Sequence, residues 1–439
     1  MRTLDFDDPF ADDGLTSPES FSSLGRPVPR ITIQAFCDTP EVAGALDMAA
    51  SDRRMARAHT KVHTGGISAA IDFYQSAPTP NLIIVESRLV KNELIARLDE
   101  LAEVCDSGTK VLVIGHSNDV VTYRELLKRG VSEYLIAPVD VMAVIAAIAD
   151  IYNDDGQSKL GQVFAFVGAK GGVGSSTVAH NVAWSMSRVF GSDVIIADLD
   201  LAFGTVGLDF NQDPPQGMAD AVFGSDRLDE VLLDRLLTKC EEHLSILAAP
   251  AMLDKTYDFE EEAFDHVLDI LQSNVPAVVL DIPHIWTSWA RKMLLAADDV
   301  IVTATPDLAN LRNAKNLIDL LKQARPNDAP PKLVLNKVGI PRQPEIKVDD
   351  FGAALQTAPT AVIPFDPLLF GTAANNGQMI AEASAKSAIN DTFVDIAQIV
   401  TGRTEQKHGK KGGLSFAPLL EKLSAMQKSG KKTKPKRAA

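Results

Sequence analysis

Between Lys170 and Thr177 the chain reads Lys-Gly-Gly-Val-Gly-Ser-Ser-Thr. Residues of these types at this spacing bind phosphate. Gly171, Gly172 and Gly174 permit backbone conformations that a Cβ obstructs, so the N–H groups from Gly171 through Val173 to Thr177 can turn toward one anion. The Ser176 hydroxyl stands where a phosphate loop ligates magnesium. The general pattern, Gly-x4-Gly-Lys-Ser/Thr, is altered at two places: Ala169 replaces the first glycine and Ser175 the lysine. One lysine remains, Lys170, five residues before its usual place. A dinucleotide fingerprint fits less well, because Gly172-x-Gly174 is followed by Thr177 where a third glycine belongs.

Further carboxylates and one amide could serve the same ligand. Asp198 and Asp200, spaced i, i+2, share one face of an extended segment. They are either ligand-facing acids at a strand end or solvated loop acids. Asp281 closes the apolar run 277–280, the Walker B arrangement, in which a carboxylate supports magnesium through its water shell. Asn336 follows the apolar run 332–335 and offers amide donors and an acceptor that suit adenine. His180, His243, His266 and His284 lack metal-ligand spacing and read as structural or solvated.

Such residues work together only if strands bring them to one edge. A buried strand over 163–167 leads into the glycine loop, and apolar spacing predicts a helix over 177–190 whose N-terminus adds partial positive charge. Strands follow over 194–197, 277–280, 300–303 and 332–335, with a helix over 309–323. In open α/β sheets ligands bind at the carboxyl ends of the strands. Upstream, strands over 30–37, 81–85, 110–114 and 133–136 alternate with helices over 41–58, 67–76, 91–105, 120–129 and 140–152. The fold class is therefore α/β, a parallel-sheet domain followed by a doubly wound sheet domain. The expected divisions are a disordered acidic leader over 1–28, a first domain over 29–152, a polar linker over 154–158, a second domain over 160–402 and a basic tail over 403–439.

The segment from Lys170 to Thr177 resembles the deviant Walker A loop of the MinD/ParA ATPases, with its early signature lysine. The Ser175 replacement and the domain before the loop are similar to the CpaE/TadZ pilus-assembly branch of that superfamily. The resemblance implies ATP and Mg2+ as cofactors and a homodimer formed on ATP, with Lys170 reaching the partner's phosphates. It implies that Asp198 and Asp200 lie near magnesium, Asp200 positioning the attacking water, and that Asn336, Pro364 and Asp366 lie near the base. Relatives that hold an iron–sulfur cluster use cysteines in this domain, where Cys240 stands alone. The first domain resembles the receiver domain of two-component signalling without its chemistry. Glu86 stands at the phosphoacceptor position, Asp38 is the single acid after the first strand, Gly115 replaces a hydroxyl, and Ala137-Pro138 replaces Lys-Pro. A phosphorylation-dead domain that docks or localises is expected.

The 439 residues, 46% hydrophobic, suffice for two or three cores. Three cysteines without metal-ligand spacing suit a reducing cytoplasm, and the acidic N-terminus lacks the apolar stretch of a signal peptide. Net charge is −15, but residues 401–439 hold eleven Lys/Arg against two Glu, so that tail is +9 and the remainder −24. The acidic body makes nucleic acid an unexpected partner. In the tail, Phe416, Leu419, Leu420, Leu423 and Met426 fall on one helical face before a run of lysines. That pattern over 414–439 suits either an anionic membrane surface or docking on the chain's own domain. The resemblance implies a slow ATPase that positions and assembles a type IV (Flp/Tad-type) pilus or secretion machine, cytoplasmic or peripheral at the inner membrane, and polar. A ParA-type partition protein on nucleoid DNA and a non-hydrolysing scaffold are the alternatives.

Overall fold

Successive buried side chains along the first strands enter two different cores, so the sheet carries helices on both faces. The computed structural model describes residues 27–153, 160–250, 252–253 and 256–402. Strands β1 (Thr32–Cys37), β2 (His59–Thr64), β3 (Leu82–Ser87), β4 (Lys110–Gly115) and β5 (Glu133–Ile136) form an all-parallel sheet in the order β2-β1-β3-β4-β5. Ile33, Ala35, Leu82, Ile84, Leu112 and Ile114 pack on one layer with Leu46 and Ile148. Phe36, Ile83, Val85 and Val113 pack on the other with Ile67, Leu94 and Leu126. The period of two sends successive side chains to opposite cores.

Two expectations change here. The helix read over 41–58 ends early: the helix is Pro40–Ala50, a 3-10 turn follows at Arg53–Met55, and then β2. Strand β2, His-Thr-Lys-Val-His-Thr, lies at the sheet edge with no apolar run to announce it. At the start, Val28 is fully buried and its N–H donates to the Arg54 carbonyl (2.7 Å), so packed structure includes the last residue of the stretch read as leader. The rest of that leader, the linker over 154–158 and the tail helix lie outside the described residues.

The second sheet has eight strands: β6 (Gln162–Gly168), β7 (Val194–Asp198), β8 (Thr238–Glu241), β9 (Leu244–Leu247), β10 (Ala277–Ile282), β11 (Asp299–Ala304), β12 (Lys332–Val338) and β13 (Ala361–Pro364). Their order is β13-β12-β11-β6-β10-β7-β9-β8, parallel except for β8, which pairs antiparallel with β9 at the edge. Val163, Ala165, Val167, Val278, Leu280, Val300 and Val302 line one core with Leu268, Trp289 and Ile318. The β8–β9 pair and β13 are short additions absent from the sequence reading. The chain runs from β6 outward to β7, returns to β10 beside β6, and then crosses to β11 on the far side. This switch point puts the loop after β6 where ligands bind in doubly wound sheets.

The two sheets meet through buried charges. Arg53 pairs with Asp298 (2.9 Å) and Asp328 (2.7 Å); Arg54 pairs with Asp328 and Asp52; Arg325 pairs with Asp328 (2.7 Å). Asp298 also accepts from the Val163 N–H at the start of β6 (2.8 Å), and Arg57 donates to Gln272 (2.6 Å). Arg53, Arg54 and Arg57 precede β2, while Asp298 and Asp328 precede β11 and β12. Each sheet thus meets the other at its amino edge, and both carboxyl edges face away.

Candidate functional site

The loop after β6 is held from both sides. Asn336, at the carboxyl end of β12, donates from Nδ2 to the Val173 carbonyl (2.8 Å) and accepts the Lys337 N–H at Oδ1 (2.8 Å). Lys337 donates from Nζ to the Gly172 carbonyl (2.6 Å). On the other flank, Asn313 donates to the Ala169 carbonyl (2.9 Å) and His284 Nδ1 to the Gly168 carbonyl (2.8 Å). Gly174 has φ +89, and a Cβ there would sit 2.6 Å from Asn336 Nδ2, so this close approach requires glycine. The helix begins at Ser175, two residues before the sequence reading, and runs to Phe190. The Ser175 hydroxyl is buried without a hydrogen-bond partner, and Lys170 is exposed.

The acids lie on adjacent strands. Asp281 on β10 is the Cα partner of Asp198 on β7, and strands lie about 4.8 Å apart. Asp198 is fully buried; it accepts from Asp200 N–H (3.1 Å) and Val206 N–H (3.2 Å). Burial and then the charge of Asp281 push its carboxyl above the ordinary range, against the pull of His180. Asp200 is half-buried and accepts the Phe203 N–H (3.1 Å); burial raises its carboxyl too. His180, read as structural or solvated, is fully buried, with Nδ1 2.7 Å from Asp209 Oδ2 and Nε2 3.4 Å from Asp281 Oδ2. Burial opposes its charge, but hydrogen bonding to Asp209 and Asp281 pushes its pKa up to about 10. Nothing in the helical pattern around residue 180 signals these partners.

Beside the loop opens a cavity of about 320 Å³. Gly174, Thr177, Asn336, Pro364 and Asp366 line it, as do Lys337, Phe365, Phe370 and Asp209. Asp366 also caps the helix Pro367–Asn376, accepting the Leu369 N–H at 3.0 Å. Of the residues singled out from the sequence, Gly174, Thr177 and Asn336 join the loop to this cavity. Asp198 and Asp281 stand behind the loop on β7 and β10, while Lys170 is on the open side. The missed residues are His180, Asp209, Lys337 and Phe370.

The first domain has its own polar cluster. Glu86 is fully buried and accepts from Asp38 N–H (2.7 Å), Thr39 N–H (2.8 Å) and Thr39 Oγ1 (2.8 Å), with His116 Nε2 at 2.9 Å. Burial works against its charge, yet these bonds outweigh it and hold the carboxyl below its ordinary value. A Cβ at Gly115 would overlap the Tyr134 hydroxyl, which donates to the Ser117 carbonyl (2.9 Å). The space of the expected hydroxyl is thus filled by a buried tyrosine.

A glycine loop on the central strand, with carboxylates on the next two strands, is the architecture of a MinD/ParA-type ATPase domain. A family profile described as an AAA domain matches residues 161–333. Over 181 residues the chain is 25% identical to the septum site-determining protein MinD of Bacillus subtilis, covering 41% of this chain and 66% of that protein. A ParA family ATPase of Chlorobium tepidum is 28% identical, covering 54% of this chain and 98% of that one, with a TM-score of 0.49. The pilus assembly protein CpaE of Caulobacter crescentus is 52% identical, covering 29% of this chain and 97% of the solved one, with a TM-score of 0.29. On that identity, the chain belongs to the CpaE-like pilus-assembly family of the MinD/ParA superfamily. Membership implies use of a nucleotide and Mg2+.

Proposed function

We propose that the chain binds ATP with magnesium at the loop, dimerises on it, hydrolyses it slowly, and thereby positions and assembles a pilus or secretion machine. The observation that carries the nucleotide reading is the continuity of loop and cavity: Gly174, Thr177 and Asn336 belong to both. The N–H groups of Gly171 to Thr177 take the phosphates, and the cavity with Asn336, Pro364 and Asp366 takes the base. Because Asn336 spends one amide hydrogen on the loop and its carbonyl on the Lys337 N–H, it serves the base mainly by fixing the cavity wall.

The donor set fits magnesium. Asp198 and Asp281 are hard oxygen ligands on neighbouring strands; burial first and the charge of Asp281 second raise the Asp198 carboxyl, a cost that a bound cation would relieve. An ion held by these carboxylates would be completed by phosphate, water and the Ser176 hydroxyl. Bound magnesium supplies charge neutralisation at the phosphates. Asp200 orients the attacking water. Lys170, exposed at the open edge, acts on the partner's phosphates. Phe203, Leu208, Trp286, Leu308 and Leu368 are exposed on segments that follow β7, β10, β11 and β13, an apolar fringe for a second copy.

The pilus assignment rests on identity to the Caulobacter protein. Attachment to an anionic inner-membrane surface rests on the sequence of 414–439 alone; among the described residues no helix is long and apolar enough to cross a membrane. Light scattering tests the dimer. With ATP and magnesium the full chain should double its mass and turn ATP over, and Lys170→Ala should abolish both while retaining the monomer fold. A Lys170→Ala variant equal to wild type in mass and turnover points instead to a scaffold that does not hydrolyse ATP.

A further inference from the structure

His180 stands between two carboxylates behind the loop. Its helix, Ser175–Phe190, begins at the loop itself. Nδ1 lies 2.7 Å from Asp209 Oδ2; a carboxylate can only accept, so the imidazole donates. Nε2 faces Asp281 Oδ2 at 3.4 Å. Asp281 is the register partner of Asp198, and Asp198 Oδ2 accepts the N–H of Val206 at 3.2 Å. Val206 opens the short helix Val206–Asp209, which ends at Asp209. Asp209 also lines the cavity, and a Cβ on Gly377, at the end of the helix that walls it, would meet Leu208 of this short helix at 2.7 Å. Three elements (the short helix, the loop helix and β10) therefore meet at one fully buried imidazole, and β7 joins them through Asp198.

We infer that His180 is a positioning residue that couples the nucleotide cavity to the magnesium-binding carboxylates, by hydrogen-bonding Asp209 on the cavity wall while its other ring nitrogen faces the Asp281 carboxylate at the strand end. The inference deepens the nucleotide reading and rests on it for its ligand. Movement of the cavity wall on occupation by the base reaches Asp281 through a single rigid ring, and magnesium at Asp281 stiffens the same wall. Binding of nucleotide and of magnesium should accordingly be cooperative, and His180 should carry that cooperativity.

Two measurements on the full chain decide it. In the first, urea unfolding compares Asp209→Asn, Asp281→Asn and the double variant, with His180 and with His180→Phe. With His180, the two substitutions should be non-additive by about tenfold in the unfolding equilibrium constant; with His180→Phe they should add. In the second, ADP affinity is measured by calorimetry with magnesium and with a chelator. Magnesium should tighten ADP in wild type, the ratio of the affinities with magnesium and with chelator should fall about tenfold in His180→Phe, and His180→Gln, which keeps a donor, should restore part of it. Additive substitutions in the presence of His180, or an undiminished magnesium gain in His180→Phe, overturn the inference. If wild type binds no ADP, the nucleotide reading falls while the first measurement still decides whether His180 links the two acids.

Discussion

Ser175 is the residue at which this loop departs most from the general phosphate-loop pattern. Its hydroxyl is buried and unpartnered, and no lysine stands at this position to meet the phosphates. Two lysines flank the loop: Lys170 on the open side, and Lys337, which places one of its three ammonium donors on the Gly172 carbonyl. A phosphate bound here therefore receives backbone N–H bonds and the helix terminus, without a charged donor from its own loop. Restoring one should help. A hydrogen bond between charged groups contributes about 1.5–3 kcal/mol, so Ser175→Lys should tighten ATP binding about tenfold or more, read by calorimetry. Unchanged or weaker affinity in a variant that melts like wild type would mean that the position does not face phosphate. This residue was legible in the sequence because the motif fixes its place. His180 was not, since its partners lie 29 and 101 positions away in sequence and a helical pattern carries no trace of them.

Elements were readable where burial is two-sided. β3, β6 and β10 are near-continuous apolar runs, and the sequence alone marks them. β2 and β8 are largely polar edge strands and β9 is only four residues long, so their strand character comes from neighbours and not from pattern. The premature end of the helix at Ala50 has the same origin: Arg53 and Arg54 turn away into buried ion pairs with the second domain. At β4 and β5 the pairing depends on a missing side chain. Gly115 leaves the space that Tyr134 occupies, and the tyrosine is buried there. Gly115→Thr should force the ring out and cost about 1–3 kcal/mol in stability, as overpacking does. Urea unfolding checks this, with the near-ultraviolet signal of the tyrosine reporting its release. Equal stability would mean that the β4–β5 edge yields easily.

Across the whole molecule, the junction of the two sheets sets the direction in which each site faces. Asp298 and Asp328 are buried beneath the second sheet and depend on Arg53, Arg54 and Arg325 for compensation. Removing one partner of a buried pair costs about 3–5 kcal/mol, because a charge is left unpaired. Arg53→Ala should therefore destabilise the full chain by that amount in denaturant unfolding, and Arg53→Lys should recover only part, lacking the fork that serves two acids. A loss below 1 kcal/mol would show the junction to be incidental. Because the sheets join at their amino edges, the loop after β6 and the Glu86 cluster after β3 both open away from the junction.

The claim beneath all of this is that residues 170–177, joined to the cavity at Asn336, form a site for ATP and magnesium. Calorimetric titration of Mg·ATP into the full chain tests it most directly, with Gly174→Val as the paired variant. A side chain at residue 174 would be forced into positive φ and would press on Asn336 Nδ2 at 2.6 Å. Saturable binding of one ATP per wild-type chain, lost in a folded Gly174→Val variant, is the predicted result. The contradicting result is absence of binding in wild type, or equal binding in both.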